Sequence, residues 1–252
     1  MKEARQKQML SLIAQRGSMT MEELQKTFGT SMNTTRSDVA SLAASGAVEK
    51  IYGGVRILQT QEEPLFTQRS ELYTDAKYRI ARYAETLIRD QDTLFIDSGT
   101  TTMHLVNCLS PAKHVTIITG NLAVIVKAAA CPNVELIVLP GHLNRRTNNV
   151  ADGSTLEFLS RIRCAKAFLG ATGVSPSGKL NVSTYTEYEL KKLAVQQSIR
   201  PILLVDGSKF GRESLMTYGT IADMSEIITD ARCPEFSREL CRRKNVKLTV
   251  IK

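Results

Sequence analysis

This sequence has no CxxC pair. Its five cysteines, Cys108, Cys131, Cys164, Cys233 and Cys241, are scattered, and only three histidines accompany them. That spacing argues against a zinc site, and scattered, odd-numbered thiols fit a reducing compartment. No apolar run approaches the roughly 18 residues that a bilayer span requires. The opening Met-Lys-Glu-Ala-Arg-Gln-Lys lacks the apolar core of a secretory leader. Internal repeats and low-complexity tracts are also missing. The expectation is a cytoplasmic protein with no metal, no cofactor and no membrane partner.

What is present is a chain of 252 residues, 42% of them hydrophobic, enough to bury one large core or two smaller ones. The net charge of +8 favours anionic partners such as nucleic acid or phosphorylated metabolites. It does not locate them: residues 1–57 carry +3, residues 58–75 carry −3 and residues 76–252 carry +8.

The first 58 residues read as three short helices and a hairpin. Helix one covers about 3–16, with Met9, Leu10, Leu12 and Ile13 on its apolar side and Gly17 after it. Thr20-Met-Glu-Glu23 is a capping box opening helix two, with Leu24 and Phe28 inward and Gly29 at its end. Ser31 caps a third helix running to Ser45, stopped by Gly46. Val48, Ile51, Gly53-Gly54, Val55 and Ile57 then form two short strands about a glycine turn. This is the order of a winged helix-turn-helix, assigned to residues 1–58. Residues 59–74 are polar, contain a proline and read as a linker. From 75 to 252 short apolar strands (93–97, 115–119, 134–139, 165–170, 202–206, 226–229, 247–251) alternate with helical stretches, near 76–89, 102–109, 122–130, 154–162, 185–199 and 234–244. That alternation means an α/β domain with a mainly parallel sheet covered on both faces.

On the third helix, Thr35, Val39, Leu42 and Ala43 share one side and face the core. The opposite side carries Asn33, Thr34, Ser37, Ala40, Ser41 and Ala44, small residues where a solvated helix would carry Lys, Glu and Gln. Short polar side chains let a helix enter a major groove and reach base edges. The candidate DNA-reading residues are Ser31, Asn33, Thr34, Arg36 and Ser37, with Lys50, Tyr52 and Arg56 on the hairpin. A helical module for protein contacts fits the same pattern.

A second group of candidates lies in loops after strands. Asp97-Ser-Gly-Thr-Thr-Thr102 follows a strand and opens a helix, where backbone amides and threonine hydroxyls suit an anion. A tight turn with a threonine cap fits it equally well. Thr119-Gly-Asn121, Pro140-Gly141-His142 and Asp206-Gly-Ser-Lys209-Phe-Gly211 follow other strands. In open parallel sheets ligands bind beyond the carboxyl ends of the strands, so these loops converge on one crevice. Glu187 and Lys191 sit four apart on one helix face, as either an exposed pair or a pair for sugar hydroxyls and phosphate.

Residues 5–57 resemble the winged helix-turn-helix of the DeoR family of bacterial regulators. The matching text is Arg5…Met9…Leu12, Met-Glu-Glu-Leu at 21–24, Ser31-Met-Asn-Thr34-Thr-Arg36-Ser-Asp38-Val, and Gly46-Ala-Val…Tyr52-Gly-Gly54-Val. Asp97…Gly99-Thr-Thr101, Asn121, Pro140-Gly141, Gly153, Phe168-Leu-Gly170, Glu187…Lys191 and Asp206…Ser208-Lys209-Phe-Gly211 resemble that family's sensor domain, similar in fold to sugar-phosphate isomerases. The chain departs from the family pattern at Thr35, normally aliphatic, at Ser37, normally basic, and at His142, often glycine. The resemblance implies a regulator, usually a repressor of carbohydrate catabolic genes, that binds an operator in double-stranded DNA and responds to a phosphorylated sugar. It implies an effector set of Asp97, Gly99, Thr100, Thr101, Thr102, Asn121, Glu187, Lys191, Asp206 and Lys209. A homo-oligomer is expected, because one small module buries little DNA surface. Two competing readings are an isomerase-like enzyme, with Glu187 or Asp97 as proton-transferring base, and a nucleic-acid binder whose second domain only oligomerises.

Overall fold

The computed structural model describes residues 5, 6, 8, 9, 12, 13, 18–44, 48–57 and 64–252. The chain divides into two compact units, residues 1–63 and 64–252. Elements are numbered within the described residues.

In the first unit, residues 5, 6, 8, 9, 12 and 13 are helical, and the rest of the expected first helix, with Gly17, lies outside the described residues. A strand not anticipated, β1 (Ser18–Thr20), comes next. It pairs antiparallel with β3 (Gly54–Ile57), which also pairs with β2 (Val48–Ile51), giving the order β1-β3-β2. Helix α1 (Met21–Phe28) opens on the predicted box: the Glu23 amide donates to Thr20 Oγ1 at 3.1 Å, and the Thr20 amide donates to Glu23 Oε2 at 2.7 Å. Gly29 closes it at φ +59°, the left-handed conformation that glycine adopts without strain. Helix α2 (Met32–Ala44) follows, and Ser31 Oγ accepts from the Thr34 amide at 3.2 Å. Ser45 and Gly46 lie outside the described residues.

Met9, Ile13, Met19, Leu24, Val39, Leu42, Val48 and Val55 form the core of this unit. Thr35 and Asp38 are buried beside it. Thr35 Oγ1 donates to the Ser31 carbonyl at 3.1 Å and shares a hydrogen bond with Thr30 Oγ1 at 2.9 Å. A hydroxyl at an inward helix position is thereby satisfied locally. Asp38 accepts from Arg5 Nε at 2.7 Å and Gln6 Nε2 at 3.0 Å, tying α2 to the N-terminal helical segment.

The second unit is built on a seven-stranded sheet whose paired strands are all parallel. Its order is β15 (Lys247–Ile251), β14 (Glu226–Asp230), β12 (Ser198–Leu204), β9 (Cys164–Leu169), β4 (Thr93–Ile96), β5 (Val115–Thr119), β6 (Val134–Val138). The chain winds outward from β4 through β5 to β6, then returns to β9 on the other side of β4. The winding direction therefore reverses between β4 and β9. One face is packed by α4 (Thr74–Glu85), α5 (His104–Cys108) and α6 (Leu122–Ala128), through Ile80, Ala84, Leu105 and Val124 among others. The opposite face carries α7 (Gly153–Ser160), α8 (Tyr185–Gln197) and α9 (Glu235–Lys244), through Leu159, Leu190, Ala194 and Cys241.

Three short strands were not anticipated from the alternation. β10 (Gly173–Val174), β11 (Lys179–Val182) and β13 (Met216–Thr220) make a small antiparallel sheet beside the second face. A two-residue hairpin, β7 (Leu143–Asn144) and β8 (Asn149–Val150), follows β6. Within the expected linker, Phe66–Glu71 form a helix, α3, that belongs to the second unit, with Phe66 and Arg69 buried. Two inward residues three apart suffice to dock one helical turn and a half, too short a pattern to register as a helix period.

Candidate functional site

The outer face of α2 is the first site. Asn33, Arg36 and Ser37 are exposed, as is Ser31 just before the helix, and Thr34 is half-buried. Ser31 Oγ and Thr34 Oγ1 lie 2.8 Å apart, so both hydroxyls are engaged in capping the helix. Asn33, Arg36 and Ser37 remain as the outward polar groups at the start of α2. On the hairpin Lys50 is exposed and Tyr52 is fully so, standing at the tip of the β2–β3 turn beside Gly53 at φ +74°. Arg56 pairs with Glu49 at 2.5 Å across the two strands. Arg36, Lys50 and Tyr52 thus form an outward set of cations and one aromatic on this unit.

The second site is a cleft in the C-terminal unit, open to solvent. It lies where the winding reverses, beyond the carboxyl ends of β4, β9 and β12, the place where open parallel sheets hold ligands. Ser98–Thr101 line it from β4, Gly170–Thr172 from β9, and Leu204, Val205 and Lys209 from β12. Glu187 and Lys191 enter from α8, and Arg69 from α3.

Asp97 is the base of this arrangement. It is almost fully buried; its Oδ2 accepts from the Gly170 amide at 2.8 Å and from Lys191 Nζ, and its carbonyl accepts from Thr102 Oγ1 at 2.9 Å and Asn121 Nδ2 at 3.1 Å. Lys191 also donates to the Gly170 carbonyl at 3.1 Å and lies over the Tyr218 ring. Tyr218 donates to the same carbonyl at 3.0 Å; burial, with Asp97 and Asp223 nearby, holds its phenol well above the ordinary range. Lys191 and Glu187 are both buried and do not form the exposed pair that their spacing allowed. Glu187 Oε2 accepts from Thr184 Oγ1 at 3.0 Å and Ser183 Oγ at 3.3 Å.

The loop 98–101 offers backbone donors: among the described residues, none of its four amides gives a hydrogen bond to the protein. The expected helix N-terminus contributes little, because α5 has only five residues and begins at His104. A Cβ at Gly99 would stand 3.0 Å from Thr102 Oγ1, so a larger residue there would press on the Thr102 side chain. Thr102 itself turns inward and donates to the Asp97 and Gly99 carbonyls, away from the cleft.

Asn121 caps α6, accepting from the Ala123 amide at 3.0 Å, while its Nδ2 holds the Asp97 carbonyl. It shapes the 97–99 loop and does not line the cleft. His142 and Asp152 pair at 2.7 Å near the β7–β8 hairpin, also outside the cleft lining. Asp206 caps the turn that carries Lys209, accepting from the Ser208 amide at 3.0 Å, and its other carboxylate oxygen is buried with no hydrogen-bond partner among the described residues.

Sequence reasoning missed Arg69 and Lys77. Lys77 lies in the middle of α4 and is almost fully buried, and its Nζ donates to the Arg69 carbonyl. Burial pushes its pKa down to about 8; Asp206 opposes the shift, and Lys209 and Arg69 add to it. Arg69 and Lys209 line the cleft, and Lys77 lies close enough to feel both of them and Asp206. A lysine inside an amphipathic helix and an arginine in a polar stretch carry no local signal of such a role.

The description of a DeoR-like helix-turn-helix domain matches residues 5–61, and that of a DeoR C terminal sensor domain matches residues 73–231. The HTH-type transcriptional regulator IolR of Bacillus subtilis (strain 168) is 35% identical over 246 residues, covering 98% of each chain. The glycerol-3-phosphate regulon repressor of Escherichia coli (strain K12) is 31% identical over 225 residues, covering 89% of each. Among solved structures, ribose 5 phosphate isomerase A from Neisseria gonorrhoeae aligns with a TM-score of 0.37 at 16% identity, over 58% of this chain and 55% of that one.

Proposed function

The chain belongs to the DeoR family of transcriptional regulators, and from that premise we propose that it represses carbohydrate catabolic genes and is released from its operator by a phosphorylated sugar bound in the C-terminal cleft. The isomerase-like enzyme gives way here, since both matched domains are those of regulators. A relative aligned over 89% of each chain is named as the repressor of a glycerol-3-phosphate regulon, so regulation of phosphorylated-metabolite genes has a precedent among the relatives.

The observation that carries the ligand class is the cleft itself. Ser98–Thr101, whose four amides give no hydrogen bond among the described residues, line it together with Arg69 and Lys209, and Lys77 holds the Arg69 carbonyl. Backbone N–H groups and cations together form the donor set that charge-assisted phosphate binding uses. Lys191 is already neutralised by Asp97, so it presents a donor and not a surplus charge. Glu187 and the Gly170–Thr172 backbone lie in the same cleft, suited to hydroxyls. Asp97, Thr102 and Asn121 act one layer back, by holding the loop. At the DNA, Asn33, Arg36 and Ser37 enter the major groove, Ser31 and Thr34 cap the reading helix, and Lys50 and Tyr52 grip the backbone beside it.

Among the described residues no helix is long and apolar enough to cross a membrane. A cytoplasmic, homo-oligomeric repressor agrees with this, with DNA work in a reducing compartment and with scattered thiols. The test is calorimetry of the full chain with a panel of sugar phosphates and their unphosphorylated counterparts, followed by operator binding with and without the tightest ligand. Binding confined to phosphorylated members, with weaker operator affinity when one is bound, is expected. Equal binding of free sugars would remove the phosphate assignment.

A further inference from the structure

Helix α3 is six residues long, far below the length at which a helix holds itself in water. It is docked through two buried side chains, Phe66 and Arg69, while Thr67, Gln68 and Glu71 are exposed. Its first amide, that of Phe66, donates to the Arg146 carbonyl at 3.0 Å, in the loop of the β7–β8 hairpin. Its last turn is held by Lys77 Nζ on the Arg69 carbonyl. Tyr73 then joins α3 to α4 at φ +54°, a left-handed conformation unusual for a bulky residue. The Arg232 guanidinium stacks 4.1 Å from the Tyr73 ring centroid and is itself fixed by Asp230 at 2.6 Å.

Two of these attachments are cationic. Arg69 lines the cleft, Lys77 holds the Arg69 carbonyl, and Lys209 lines the cleft as well. Arg69 reaches the cleft from α3, so a phosphate there meets its guanidinium only while α3 is docked, and its affinity differs between the docked and undocked states. Only such a difference lets a ligand move a conformational equilibrium. Along the chain, α3 begins three residues after Glu63, where the DNA-binding unit ends.

We propose that α3 is a latch: a phosphorylated ligand in the cleft holds Phe66–Glu71 on the C-terminal unit, loss of the ligand releases it, and the tether to the DNA-binding unit lengthens or shortens accordingly. This rests on the cleft being the phosphate site, and it adds the route by which occupancy reaches the other unit.

The test is amide hydrogen exchange on the full-length chain, with inorganic phosphate as the probe and chloride at matched ionic strength as the control. Peptides covering 98–101 report the cleft, and those covering 66–72 report the latch. At phosphate ten times its Kd, exchange in 66–72 should slow about ten-fold if only the docked form binds. Slowing at 98–101 with no change at 66–72 would overturn the latch and leave the phosphate cleft standing. No slowing at either would overturn both. Phe66→Ala, and the milder Phe66→Leu, should speed exchange at 66–72 without phosphate and raise its half-saturating concentration several-fold, while saturating phosphate still protects 98–101. Wild-type phosphate affinity in a variant whose 66–72 exchange is fast would also overturn the proposal.

Discussion

Removing Lys191 would leave the Asp97 carboxylate buried without its cation. Lys191→Ala should therefore cost about 3–5 kcal/mol of stability, read as a fall in the urea midpoint at unchanged slope. Lys209 is half-buried at the cleft rim. Lys209→Ala should cost little stability and about 1–3 kcal/mol of phosphate binding, the scale of a hydrogen bond to a charged group, read by calorimetry. Lys77 makes a pH prediction. Its ammonium faces Asp206, Lys209, Arg69 and His104, and burial brings its pKa down to about 8. A bound phosphate favours the charged form, so binding takes up a proton near that pH. Sugar-phosphate affinity should fall as pH rises from about 7 to 9, a range in which the second ionisation of the phosphate ester, near pH 6, is nearly complete. Lys77→Met should bind more weakly at pH 7 and lose that part of the pH profile. The folding linkage has the opposite sense: the unfolded lysine holds its proton up to 10.5, so this group's share of stability rises between about 8 and 10.5.

Helix α2 carries its two tasks on two faces. Arg36→Ala should weaken operator binding by about 1–3 kcal/mol at moderate salt with no change in melting, since Arg36 is exposed. Asp38→Ala should instead destabilise by about 1–3 kcal/mol, stranding Arg5 and Gln6 and leaving a gap beside the core. Calorimetric melting and operator titration of both variants separate the two effects. Elements with local chemistry were legible in the chain: the Thr20 box, the Gly29 cap, and the long apolar strands. The strands that were not legible have two to five residues, such as Gly173–Val174 and Ser18–Thr20, and exist because a partner strand is nearby. α3 escaped for a related reason, since only Phe66 and Arg69 among its residues face inward. Glu187 and Lys191 lay on one helix face as expected, but their destinations depend on Ser183, Thr184 and Asp97, the last of them 94 residues from Lys191.

At the scale of the molecule, strand–helix alternation disclosed the parallel sheet but not its strand order. That order decides which loops meet. The loops after β4 and β12 converge, joined by the loop after β9, whose Gly170 the resemblance marked but the expected effector set left out. Those after β5 and β6 lie on the far side of β4 and do not reach the cleft lining. Two half-sites engaged together would add their energies through linkage, so light scattering at micromolar concentration, with and without operator DNA, should show at least a dimer. A monomer under both conditions would remove that expectation. The two sides of the cleft are built by different stretches of chain, 93–138 and 164–251, joined in the sheet only along β4 and β9. A ligand seated there is a caliper across that line: it reads the spacing of two halves as well as the chemistry of its own contacts. Widening the jaws detunes the instrument even when every contact residue is intact. Phe95 faces Ala167 across the line, both fully buried and remote from the ligand groups. Ala167→Val, an overpacking change of about 1–3 kcal/mol, should therefore blunt the response to sugar phosphate more than its cost in stability accounts for, as measured by effector titration of operator release beside thermal melting.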